Sequence, residues 1–381
     1  MCASQAAAHG LRVRVLEKGV KAGLKILVSG GGRCNFTNLY ADPGEQFLSH
    51  NEHFCVSALR RFQPQDFIDL VEQHGVAYHE KKLGQLFCDD SAKDITRMLL
   101  SECAAGDVDI RLNQEVQAVS LCERGYVART SSGDFRAPRL VLACGGLSLP
   151  KIASDLAFRT ARDLSVDVVP TRAALVPLTW NSSDKPVFAG LSGIAVDSEV
   201  SCGGVSFREN LLFTHRGLSG PAILQASSYW REGEALSVNL LPDREAAQWL
   251  RDRREQAPRQ LLSSLLREVL PNRVVATLAG LWFTDQQIGQ VGDKALGALG
   301  ENLNGWRFKP GGSEGYRTAE VTLGGIDTTE VSSKTFELND YPGLYAIGEA
   351  LDVTGWLGGF NFQWAWASGW CCARHLAETS A

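Results

Sequence analysis

The spacing of apolar residues changes along the chain, and the changes mark its parts. Residues 2–9 are alanine-rich and read as a helix; the alternating run 11–16, closed by Glu17, reads as a strand. Phe67, Ile68 and Val71 share one face of a helix expected over 64–75, and 94–103 carries a second helical pattern. Strand-like runs return at 116–119, 126–130 and 139–143. The last of these feeds Cys144-Gly145-Gly146, where absent side chains let a ligand approach the backbone.

From about residue 164 to 324 the character shifts to short strands bounded by polar residues, expected at 175–179, 193–200 and 235–241, followed by a helical block over 245–290. The α/β pattern resumes at the end. Residues 344–347 form a buried-strand run, Gly348-Glu349 stands at its carboxyl end, and Gly358-Gly359 opens a helix running to about residue 375. The expected fold class is α/β: a Rossmann-like domain interrupted by a β-rich, barrel-like domain that carries a helical insertion. The expected boundaries are 1–165 and 325–381 for the first domain, 166–241 and 306–324 for the second, and 242–305 for the insertion.

Composition narrows the class. A chain of 381 residues with 44% hydrophobic and 21% charged residues suits an ordinary globular enzyme, and a net charge of -5 argues against a generally basic nucleic-acid-binding surface. The ten cysteines contain no C-x-x-C spacing, which points to reduced thiols in the cytoplasm and gives no metal site. His50 and His53 lack partners at metal-ligand spacing. No apolar run of membrane-spanning length is present, so no transmembrane partner is implied.

The chemistry concentrates in the stretch Gly30-Gly31-Gly32-Arg33-Cys34-Asn35-Phe36-Thr37-Asn38. Consecutive glycines expose backbone N–H groups to an anion, and an acid ending the second strand, here Glu17, accepts from ribose hydroxyls. Lys18 and Lys25 are placed to screen phosphates, Arg33 to hold charge near a cofactor or substrate, and Asn35 and Thr37 to fix the loop through side-chain hydrogen bonds to backbone. In a fold of this kind a strand and G-x-G-x-x-G precede that acid by about 20 residues, which places them upstream of Met1; the sequence therefore reads as N-terminally truncated. In the middle domain, His215 offers a group that titrates near neutrality and Arg216 a partner for an anionic substrate. Arg251, Arg253, Arg254, Arg259, Arg267 and Arg273 in the helical block offer contacts to RNA phosphates or form a solvated face.

Five ordered blocks, at 25–38, 143–150, 212–221 (L-F-T-H-R-G-L-S-G-P), 314–326 and 348–366 (G-E-A-L-D-V-T-G-W-L-G-G-F-N-F-Q-W-A-W), carry a resemblance across nearly the whole chain. The sequence resembles the BaiN/RdsA-like family of FAD-dependent oxidoreductases. The resemblance implies FAD as cofactor and NAD(P)H as reductant. It places Val119, Gly145 and Gly146 beside the cofactor, Gly348 and Glu349 at its ribityl chain with Asp352 a further cofactor-binding candidate three residues on, and Gly358, Gly359, Phe360 and Asn361 at the flavin edge. His215, Arg216 and Arg33 become the catalytic candidates. The leading expectation is reduction of a conjugated C=C bond in a small enone-like substrate. The alternatives are reduction of a uridine in 23S ribosomal RNA to dihydrouridine, with structured RNA as partner, and an inactive or purely binding truncated protein.

Overall fold

The computed structural model describes residues 1–379 and divides into two units, Met1–Arg172 with the chain from Val321 onward, and Ala173–Glu320. The divisions lie at 172–173 and 320–321, against the expected 165–166 and 324–325.

In the first unit the helix Cys2–Ala8 leads to the strand Arg14–Leu16, which pairs in parallel with Asp109–Arg111. Leu140–Leu142 pairs in parallel with Leu344–Ala346, so the late part of the chain returns to the early part through main-chain hydrogen bonds. Two antiparallel three-stranded sheets accompany them. One is Val116–Cys122, Gly125–Thr130 and Gly133–Ala137; the other is Asn35–Asn38, Gln85–Cys88 and Tyr78–Glu80. The helix Pro64–Gln73 starts where its sequence directs, with Pro at its first turn and a reciprocal capping box between Gln63 and Asp66.

The terminal helix Phe360–Glu378 is the spine of this unit. Trp366 stacks on Phe67 at 4.6 Å and on Phe362 at 5.4 Å, and Phe62 meets Trp370 at 5.7 Å, so the aromatic residues four apart along the helix are packing residues. Both buried indoles also satisfy their N–H groups: Trp364 donates to the carbonyl of Gly348 and Trp366 to that of Phe36. Each such burial contributes on the order of 2 kcal/mol from apolar area. The geometric consequence is that the helix is pinned to both segments expected to meet the cofactor.

The second unit holds a seven-stranded sheet in the order Trp306–Phe308, Leu236–Asn239, Ala195–Cys202, Val205–Phe213, Gly217–Ser219, Leu178–Thr179, Gly312–Ser313. Its two edge strands are joined by residues 309–311 alone, a reach of roughly 10–14 Å at most, so the sheet curls back on itself into a barrel-like form. Trp180, Phe188, Phe213, Trp306 and Phe308 fill its interior, with ring centroids 5.0 to 6.4 Å apart. The strand Val205–Phe213 was not expected: its inward positions are Val205, Phe207, Glu209, Leu211 and Phe213, and a buried glutamate interrupts the apolar alternation that marks a strand. The helical block is four helices, Ala246–Gln256, Leu262–Leu266, Asn272–Leu278 and Asp293–Gly305. Among the described residues no helix is long and apolar enough to cross a membrane.

Candidate functional site

The glycine run forms a tight turn, Ser29–Gly32, in which Gly30, Gly31 and Gly32 have φ of 55, 66 and 86°. L-residues with side chains are strained there, and after Arg33 at φ -108° Cys34 returns to the left-handed region at φ 50°. At Gly30 a Cβ would stand 2.8 Å from the amide nitrogen of Asn35 and 3.0 Å from the Phe87 ring. At Gly31 and Gly32 it would meet nothing within 4 Å. The first glycine is therefore fixed by packing, while the other two hold an open backbone surface, as a cradle for an anionic group requires. Arg33 beside it is exposed, and Asn35 begins the strand that follows.

The terminal segment closes on this turn. Gly359, at φ 98°, precedes the helix Phe360–Glu378, and a Cβ on it would lie 2.4 Å from the carbonyl of Thr37. Asn38 donates to the carbonyl of Gly358 at 2.8 Å, and the fully buried Thr37 hydroxyl donates to Gln363 at 2.7 Å. Phe360 turns inward against Phe47, and the Asn361 side chain closes the turn at Gly355, accepting from its N–H and donating to its carbonyl. What remains at this helix start is backbone: the first N–H groups of a long helix, with their partial positive charge.

Lys25 forms an ion pair with Glu349 and also donates to Ser148 at 2.9 Å. The other oxygen of Glu349 accepts from Ser148 at 3.2 Å and from the backbone N–H of Thr322 at 2.8 Å, while the Thr322 hydroxyl accepts from the N–H groups of Leu147 and Ser148. A Cβ at Gly146 would strike that hydroxyl at 2.5 Å. Glu349 thus ties the Gly145–Ser148 loop to Gly348 and to the strand Val321–Ile326. Asp352 is nearly fully buried and its carboxylate accepts from both the backbone and the ring of His50. Glu17 accepts from the N–H of Gly19 at 2.7 Å, Lys18 donates to the carbonyl of Ala153, and Val119 is buried in the strand Val116–Cys122. Thr37, expected to bond backbone, donates instead to the Gln363 side chain; Gln363, Ser148 and Thr322 were not singled out in the sequence, because single buried hydroxyls and amides carry no spacing signal.

Thiol chemistry is suppressed at Cys34. Its side chain is fully buried, and burial pushes the thiol up to about 12. Burial raises Cys144 as well. Neither supplies a thiolate near neutral pH.

In the second unit His215 and Arg216 stand exposed at the tip of the hairpin joining Val205–Phe213 to Gly217–Ser219. Thr214 builds that tip: its hydroxyl accepts from the N–H groups of Arg216 and Gly217 and donates to the carbonyl of Gly217. Trp180 braces the turn from below, donating to the carbonyls of Thr214 and Arg216. The guanidinium of Arg216 lies 3.5 Å from the carboxylate of Glu314, a shielded acid missed in the sequence, and both line a cleft of about 350 Å³ with Pro177, Ser192 and Phe213.

The family profile described as the HI0933-like protein Rossmann domain matches residues 1–375. The chain belongs to that family. It is thereby one of the BaiN/RdsA-like oxidoreductases that its motifs resemble. A ribosomal RNA dihydrouridine synthase of Escherichia coli (strain K12) is 51% identical over 98% of this chain and 94% of that protein. One from Haemophilus influenzae is 44% identical over 99% and 95%. A 3-dehydro-bile acid delta(4,6)-reductase of Clostridium scindens is 28% identical over 96% of this chain and 93% of that protein.

Proposed function

We propose that this protein is an FAD-dependent reductase that converts a uridine of ribosomal RNA to dihydrouridine. The observation that carries the reading is the open glycine turn of residues 30–32, followed by a strand whose Asn38 and Thr37 meet Gly358 and Gly359 at the start of the terminal helix. The near-full-length likeness to two ribosomal RNA dihydrouridine synthases supports RNA over a small enone as substrate. Bound FAD supplies a hydride donor.

The residues present fit that group. In this reading Glu17 accepts from a ribose, the N–H groups of Gly31 and Gly32 hold phosphate oxygens, and the start of the terminal helix favours negative charge at the flavin edge. Lys25 and Glu349 act from behind, holding the Gly145–Ser148 loop. Within the first unit Arg33 offers a cation to an anionic group; within the second, Arg216 can exchange Glu314 for an anionic group and His215 beside it offers a proton-carrying side chain. Reduction of the uridine C5=C6 bond places hydride on C6, conjugated with the C4 carbonyl, and a proton on C5, with NAD(P)H proposed as the electron source.

Ribosomal RNA from a strain lacking the gene should lack one dihydrouridine and regain it when the gene is returned, as read by nuclease digestion and mass spectrometry. Unchanged dihydrouridine in the deletion strain would overturn the reading.

A further inference from the structure

Beside the glycine turn lies a surface that the cofactor reading leaves without a task. Leu39, Tyr40 and Leu83 are large apolar residues exposed to 42, 62 and 58%. They are held firmly. The N–H of Leu39 donates to the carbonyl of Gly84 and that of Tyr40 to the side chain of Asn38. A Cβ on Gly84 would stand 2.7 Å from the Tyr40 ring. Leu83 sits at φ 52°, a strained conformation for a side chain of its size, and strain of this kind persists where the surrounding structure enforces it. The Asn38 amide donates to the carbonyls of both Leu83 and Gly358, so the surface and the start of the terminal helix share one anchor.

The Lys81 ammonium is held 5.2 Å above the ring of Phe87, the residue that packs on Gly30. Of the acids nearest in sequence, Glu80 accepts from the N–H of Gly84 within this surface, next to Lys81, and Asp42 pairs with Arg60. Three apolar side chains are far short of the roughly 800 Å² per partner of a stable protein interface. An exposed phenol ring just after the strand Asn35–Asn38 and an ammonium just after the strand Tyr78–Glu80 of the same sheet are instead the minimal elements that take an unstacked base and a phosphate. A uridine must leave its stack before its C5=C6 edge is reachable, which leaves neighbouring bases without partners.

Resting on the ribosomal RNA reading, we propose that Leu39, Tyr40, Lys81 and Leu83 seat the single-stranded RNA next to the target uridine. Tyr40 stacks on a flanking base and Lys81 neutralises a phosphate.

The test uses the full-length, flavin-loaded protein, a labelled uridine-containing single-stranded oligoribonucleotide, and complementation of the deletion strain. Tyr40→Ala should weaken oligonucleotide binding about 10-fold, Tyr40→Phe should restore it, and Lys81→Gln should lower the slope of log affinity against log salt by about 0.7. Flavin absorbance and thermal unfolding should stay at wild-type values in all three. Binding unchanged in Tyr40→Ala overturns the proposal even where the wild-type gene restores dihydrouridine. Dihydrouridine lost in cells with oligonucleotide binding intact assigns the surface to a protein partner and overturns it as well. A wild-type gene that restores no dihydrouridine overturns the functional reading itself.

Discussion

The glycine turn of the first unit and the hairpin tip of the second are built by opposite means. In the cradle the side chains face inward and the backbone is offered outward: Lys25 and Glu349 hold each other, Asn361 closes a turn, Asp352 holds His50, and Gly31 and Gly32 stand bare. At the hairpin the backbone is consumed by Thr214 and Trp180, and the side chains of His215 and Arg216 are what the turn presents. A backbone site is damaged by adding a carbon. A side-chain site is damaged by removing one.

The largest expected effect follows from the first half of that contrast. Gly359→Ala forces a Cβ against the carbonyl of Thr37 at a positive φ and should cost about 3 kcal/mol of stability, with flavin occupancy falling alongside. Gly31→Ala meets no neighbour, so its cost should be only the backbone strain, about 1 kcal/mol. Its flavin affinity should nonetheless drop by about 10-fold or more, because the added methyl occupies the cradle. Thermal unfolding paired with flavin titration separates the two. Wild-type flavin affinity in Gly31→Ala would break the assignment of a backbone cradle.

At the hairpin the order reverses. His215→Ala should leave stability within about 0.5 kcal/mol while lowering turnover about 100-fold. Thr214→Val should cost about 1–2 kcal/mol, since the N–H groups of Arg216 and Gly217 lose their acceptor. Single-turnover rates and denaturant unfolding on the same preparations decide the matter. Equal loss of rate in both, with equal loss of stability, would make His215 a structural residue.

The contrast also explains what the sequence made legible. Three consecutive glycines and the late Gly-Gly pair announce backbone conformations that other residues tolerate poorly, so these positive-φ turns were legible without a structure. The barrel-like second unit was visible as a change of period, although Glu209 on an inward position hid the strand Val205–Phe213. Positions were easier to read than duties. Asn361 and Asp352 are polar residues in a motif expected to face a ligand, and the sequence has no means of telling that their polar atoms close on Gly355 and His50. Glu314 and Thr322 act through partners far away in the chain, and long-range pairing leaves no local pattern.

A smaller, pH-dependent effect comes from the buried thiols behind the cradle. Burial pushes Cys34 up to about 12 and Cys55, Cys88 and Cys371 up to about 11, against about 8.5 in an unfolded chain. A raised folded pKa means that the stability held in these protonated thiols is fully present below the unfolded value. It is lost as pH rises from about 9 towards 11–12. The denaturation midpoint should therefore fall between pH 8 and 10.5, and less steeply in Cys34→Ala. An unchanged slope in that variant would show that Cys34 ionises in the folded protein as readily as in the unfolded chain.

The smallest effect separates two kinds of arginine in the helical block. Arg253 pairs with both oxygens of Glu268 at 2.8 Å, and Arg254 bridges the carbonyl of Val291 and Asp293 at 3.0 and 2.6 Å; both are about three-quarters covered. These two charges brace helices. Arg259 and Arg267 are exposed. Arg253→Gln and Arg254→Gln should each cost up to about 1 kcal/mol of stability and leave the salt dependence of RNA binding unchanged. Arg259→Gln and Arg267→Gln should do the reverse, staying within about 0.5 kcal/mol in stability while each lowers the salt slope by about 0.7. Unfolding curves and oligonucleotide titrations at several salt concentrations measure both quantities. A slope that falls in Arg253→Gln as much as in Arg259→Gln would mean that bracing and RNA contact are not divided between these residues, and that a folding defect is being read as a phosphate contact.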